Sequence, residues 1–222
     1  MYCAIIGDII NSKKIRNRNL IQEKIKEILC LVNKRYEDNI ASPFAITLGD
    51  EFQGLLKDCS VSLEIITLIN LKMYPIKIRY GIGVGNITTE INKEACIGSD
   101  GPAFWNARQA INYIHENNDY GVSKTFVKIE FADENKEKTI NNTLQLCDLY
   151  EYKWTNSQYS FLSEAIDYLL DDNFSQKWLS DKLGLSPQLI NQKIKGTGIL
   201  TVIRMKKSIE KMMLKIEEEN NG

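Results

Sequence analysis

Two aspartates end apolar runs in this chain, and their chemistry is the first thing the residues suggest. Asp8 closes Met1-Tyr-Cys-Ala-Ile-Ile-Gly-Asp8, and Asp50 closes Pro43-Phe-Ala-Ile-Thr-Leu-Gly-Asp50, which runs on as Glu51-Phe-Gln-Gly54. An ionised carboxylate is costly to bury unless a cation or several donors compensate it. Two of them at neighbouring strand ends would make a divalent-metal site, because hard cations prefer carboxylate oxygen. Each acid alone has a simpler reading, Gly49-Asp50 as a hairpin turn and Asp8 as a helix-capping residue. Glu51 is a possible third ligand by type, but directly after Asp50 on a strand it is expected to face the other side of the sheet.

A second constellation lies near the C-terminus. Gln176 to Gly196 has the spacing of two short crossing helices. Leu179 and Leu183 face inward, Ser180 allows close approach, Gly184 makes the turn, and Ser186-Pro187 starts the second helix. This resembles a helix-turn-helix of the bacterial repressor type. Gln188, Asn191, Gln192 and Lys195 then face outward, residue types that hydrogen-bond base edges or phosphates in a major groove. Lys193, Lys195, Arg204, Lys206 and Lys207 make the stretch from Gln188 to Lys207 basic, without an acid. The competing reading is a small helical module that docks protein.

The elements that must position these residues follow from periodicity. Residues 2 to 7 read as a buried strand and Asn19 to Tyr36 as an amphipathic helix with Leu20, Ile21, Ile25, Ile28, Leu29 and Val32 on one face. After a loop stopped by Pro43, residues 44–48 and 51–56 form a hairpin, and a helix runs from Ser60 to Met73. Ile76 to Gly85 alternates like a strand. Its glycines at 81, 83 and 85 leave one sheet face bare, open to a backbone or a ligand. A helix over 102–114 and a strand over 124–131 complete a β-α-β-β-α-β-α-β order, that of a ferredoxin-like sheet with helices on one face. Phe104 and Trp105 are expected in the core, and His115 at a helix end as a partner for its dipole.

Asp133 to Asn142 is polar and aperiodic and reads as a linker, after which the pattern is helical to a fraying tail at 217–222. The fold class is therefore α+β, with domains at 1–135 and 136–222. A net charge of −1 over 222 residues excludes global attraction to nucleic acid or membrane, so any such binding is local. Five cysteines and one histidine, without metal-ligand spacing, read as thiols in a reducing compartment. No window approaches the roughly 18 apolar residues of a membrane span, and the chain opens on a strand without a basic leader, so a cytoplasmic, unprocessed protein is expected.

The quoted residues of the first 131 positions are similar to the palm-type domain of class III adenylyl cyclases and diguanylate cyclases. That resemblance implies Mg²⁺ held by Asp8, Asp50 and the backbone carbonyl of Ile9, with a nucleotide bound near Gly49. Ser12 and Lys13 or Lys14 would be phosphate contacts in the loop after Asp8, the alternative being a capped basic helix start. Arg108, after Gly101-Pro102 and Ala107, would be a phosphate-binding arginine. Ile46 stands where adenylyl cyclases carry a purine-recognising lysine, Phe104 where they carry a transition-state asparagine, and Leu48 where diguanylate cyclases have glycine. Over nearly its full length, from the Gly-Asp-Ile-x-Asn-Ser start through Leu-Gly-Asp-Glu-Phe-Gln-Gly to the helical end, the chain resembles the SatD family. The expectation is a cytosolic homodimeric regulator that binds a nucleotide with Mg²⁺ and DNA through its helix-turn-helix. The alternatives are an active nucleotidyl cyclase or nucleotidyltransferase using two Mg²⁺ ions, and a non-catalytic scaffold.

Overall fold

A computed structural model describes residues 1–171 and 173–221. The elements in chain order are β1 (Tyr2–Ile9), α1 (Arg18–Arg35), β2 (Ile40–Leu48), β3 (Glu51–Leu56), α2 (Ser62–Met73), β4 (Ile78–Gly85), α3 (Pro102–Glu116), β5 (Thr125–Ile129), α4 (Glu134–Tyr152), α5 (Asn156–Leu169), α6 (Gln176–Leu183), α7 (Pro187–Thr197) and α8 (Ile199–Asn221). The expected β-α-β-β-α-β-α-β order holds through β5. The sheet runs β2-β3-β1-β4-β5, antiparallel except for the parallel β4–β5 pair. Its first four strands have the ferredoxin-like arrangement, and β5 extends one edge. The fold is α+β with a C-terminal helical region.

Helices cover both faces of this sheet, not one. The side chains of Cys3, Ile5, Tyr80, Ile82 and Val84 meet α1 and α2 on one face, while Ala4, Ile6 and Leu55 meet α3 on the other. The glycine row in β4 explains the second layer. A Cβ at Gly83 would lie 2.0 Å from the Ala103 carbonyl oxygen, and one at Gly81 2.3 Å from that of Ala107. A helix backbone, rather than a ligand, occupies the bare face.

Strand β2 begins at Ile40 and runs through Pro43. It is an edge strand with shifts in register, where a proline without an N–H is tolerated. Leu20 is 61% exposed and does not join the buried face of α1. Phe104 is buried as expected, but Trp105 lies on the outer side of α3, its indole N–H donating to Asp100 Oδ1 at 2.7 Å.

The expected linker is helix α4. Asp133 caps it by accepting from the N–H groups of Asn135 and Lys136, and Glu137 pairs with Lys128 while accepting the Ile129 N–H. Polar residues that read as aperiodic are the cap and outer face, and Ile140, Leu144 and Cys147 supply the buried stripe. The start of the expected tail is helical. Glu217 is buried in α8 and accepts from the Cys59 thiol.

Candidate functional site

The site is built by register. Asp8, near the end of β1, faces Glu51 on β3 and Arg79 on β4, and residues directly opposite in antiparallel strands share a sheet face. All three therefore point to the side covered by α3. Asp50 is not on the strand but in the two-residue turn between Leu48 and Glu51, where Gly49 takes a φ of +55°. Strand alternation does not carry across that turn, which is why Glu51 faces Asp8 and not away from the site.

The loop after β1 folds back over the turn. Asn11 is left-handed, and a 3₁₀ turn over Ser12–Lys14 buries Ser12 so that its hydroxyl donates to Asp50 Oδ2. The Ile9 N–H donates to the Asp50 carbonyl at 3.1 Å, and Gln22 Nε2 donates to the Gly49 carbonyl at 2.8 Å. Ile9 itself ends β1 opposite Ile78. Lys13, Lys14, Arg16 and Arg18 are exposed around this loop, with Arg18 closest to Gly49.

Charge is arranged in pairs across the sheet end. Arg79 Nε lies 3.2 Å from Asp8 Oδ2, an ion pair without hydrogen-bond alignment. Arg108, on α3, grips Glu51 with Nη1 and Nη2, at 2.5 Å and 2.8 Å, the bidentate fork that carboxylate geometry favours. That hydrogen-bonded pair raises the Arg108 pKa and keeps the guanidinium charged. Burial pushes the Asp8 carboxyl up. Arg79 opposes the shift, while the charges of Asp50 and Glu51 add to it and that of His115 lowers it. The three acids thus crowd one another. Among the described residues no group of three or more His, Cys, Asp and Glu side chains is placed so that it could hold a metal ion.

The structure therefore brings Asp8, Ile9, Ser12, Gly49, Asp50 and Arg108 to one end of the sheet, with Lys13 at its rim. Arg108 is committed to Glu51, and Ser12 to Asp50. Sequence reasoning missed Arg79 as a neighbour of Asp8. Arg79 sits in the run that singled out β4, but only strand register shows that it meets Asp8.

Near the C-terminus, α6 and α7 flank a turn at Gly184, whose φ is +63°, and Ser186 caps α7 by accepting the Leu189 N–H. Leu179 and Ser180 are buried as expected. Gln188, Asn191 and Lys195 are exposed. Gln192 is exposed too, but lines a groove against α5 with Ser157 and Phe161. The basic stretch loses a member: Lys206 is 4% exposed and its ammonium lies 2.5 Å from Glu151, so it is unavailable to a phosphate.

A five-stranded mixed sheet layered by helices, with carboxylates paired to arginines at one end and a helical region at the C-terminus, defines an α+β protein. The chain matches the SatD family over residues 2–213 and belongs to that family. No curated protein matches it. No described helix is long and apolar enough to cross a membrane.

Proposed function

We propose that this protein is a regulator whose sheet end binds a nucleotide through Mg²⁺ and whose α7 reads DNA. The observation that carries the first half is the placement of Asp8 opposite Glu51, with Asp50 in the adjoining turn, set among Arg79, Arg108 and the exposed Lys13 and Arg18. By type the donors, carboxylate and carbonyl oxygens, suit Mg²⁺, and the acids would have to draw together around the ion. Asp8, Asp50 and the Ile9 carbonyl would hold the ion, which when bound would neutralise phosphate charge. Ser12 and Arg108 would turn from Asp50 and Glu51 to phosphate oxygens, Lys13 would screen them from the rim, and Gly49 offers bare backbone beside Arg18. The test is thermal and chemical stability of the full chain with ATP or GTP, in Mg²⁺ and in EDTA. At about 100 times its dissociation constant a ligand adds about 2.7 kcal/mol. The gain should require Mg²⁺ and vanish in Asp50→Asn without change of fold. A gain equal in EDTA, or untouched by Asp50→Asn, rejects the reading.

The second half rests on the exposed row Gln188, Asn191 and Lys195 behind the Ser186-Pro187 cap, on a helix joined to its partner by a tight turn. A homodimer would present two such helices to half-sites about one helical turn apart.

A further inference from the structure

We propose that helix side chains imitating a neighbouring strand seal both edges of the sheet, and that the seal on β5 keeps it from pairing with a second copy of this chain. Strand β4 takes one set of β5 backbone groups. The Tyr80 N–H donates to the Lys124 carbonyl at 2.7 Å, and the Glu130 N–H donates to the Val84 carbonyl at 2.9 Å. Alternation along the strand then turns the N–H groups of Thr125, Val127 and Ile129 outward, where an open edge would offer them to another chain. Thr125-Phe-Val-Lys-Ile129 is rich in β-branched and aromatic residues, so an unsealed edge here would pair readily.

One face of α4 takes all three groups. Asp148 accepts the Thr125 N–H at 2.9 Å, Asn141 Oδ1 accepts the Val127 N–H at 2.8 Å, and Glu137 accepts the Ile129 N–H at 2.9 Å. Positions 137, 141 and 148 are spaced by about one and two helical turns and so share a face. Asn141 does more than accept. Its Nδ2 donates to the Val127 carbonyl at 2.9 Å, so one carboxamide meets both the N–H and the C=O of one residue, as the partner residue of a paired strand does. A leucine of similar size would leave both groups unmatched.

The opposite edge repeats the device. Asn33 of α1 accepts the Phe44 N–H at 2.8 Å and donates to the Phe44 carbonyl at 3.0 Å. Pro43, just before it, has no N–H, and its carbonyl accepts the Cys96 N–H at 3.2 Å. Asparagines on two different helices thus act alike on the two outermost strands. This inference is independent of the Mg²⁺ site and of DNA reading by α7.

The test replaces Asn141 with Leu in the full chain. Asn142→Leu, one position along and exposed, controls for added apolar surface. The probe is a fluorescent peptide copying residues 124–130, titrated by anisotropy beside a peptide of the same composition in scrambled order. The copied strand should bind Asn141→Leu saturably and at least about tenfold more tightly than it binds the native protein or Asn142→Leu, the scale of one hydrogen bond. Should Asn141→Leu fail to fold, hydrogen exchange in the native protein decides: the amides of Val127 and Ile129 should be as protected as that of Ile82 within β4. Equal binding to the native protein or to Asn142→Leu, no binding to a folded Asn141→Leu, equal binding of the scrambled peptide, or native Val127 and Ile129 amides that exchange like free backbone each overturns the proposal.

Discussion

Glu210 carries a pH dependence that can be separated from the rest of the chain. It is 3% exposed, and its Oε1 accepts the N–H groups of Leu63 and Glu64 at 2.7 and 3.1 Å, in the first turn of α2. Burial outweighs those two donors and pushes the carboxyl up to about 8, with the charge of Glu64 adding to the rise and that of Lys206 opposing it. A carboxyl raised on folding stabilises the native state fully below its ordinary value of 4.5 and loses that contribution as pH rises through about 8. Glu210→Gln keeps an acceptor for the N–H groups and removes the titration. Urea unfolding should show the native protein losing stability relative to this variant between about pH 5 and 8, by up to about 1.4 kcal/mol per unit. Parallel curves for the two proteins would count against it. At this scale the sequence was half legible. Asp8 and Asp50 stand out because acids rarely end apolar runs. Glu51, Arg79 and Lys206 were misjudged or missed because a side chain's direction across a turn, its register and its burial belong to tertiary structure.

Elements were more legible, since periodicity reports a local backbone choice. The one helix lost, at the start of α4, was hidden because its cap and outer face are polar and its apolar stripe begins only at Ile140. The helix α7 was announced by Ser186-Pro187 and found at Pro187–Thr197. The proposed DNA contact belongs to this element. With Lys206 withdrawn into the core and Lys193 drawn over the Phe161 ring at 5.3 Å, Lys195 and Arg204 are the clearest phosphate partners, at about 0.9 of salt slope each. Lys195→Ala should therefore weaken binding to all duplexes and lower the slope of log affinity against log salt by about that amount. Gln188→Ala and Asn191→Ala should instead relax sequence preference, at about 1–3 kcal/mol for a bidentate base contact. Fluorescence anisotropy over a salt series reads both. Binding that is insensitive to salt, or absent, would leave α6 and α7 as a docking module.

On the scale of the whole molecule, one buried cluster runs from Cys3 in β1 to Ile216 in α8. Helix α8 lies against α4 and α2, Glu210 caps α2, and Lys206 joins Glu151 of α4 to Thr67 of α2 at 2.5 and 3.0 Å. A sequence pattern shows where strands give way to helices, but not that the helices share a core with the sheet. That sharing needs contacts between residues far apart in the chain. Its consequence is cooperative unfolding, since neither part can open without exposing the same apolar surface. Three proteins, each retaining one of Trp105, Trp154 and Trp178, should give coincident denaturation transitions. Lys206→Met should then lower all three together, by about 3–5 kcal/mol, because it removes one of the two cations that face buried Glu151. If the Trp154 and Trp178 signals melt at lower denaturant than Trp105, the C-terminal helices open as a separate unit, and the core they share with the sheet is not what holds them in place.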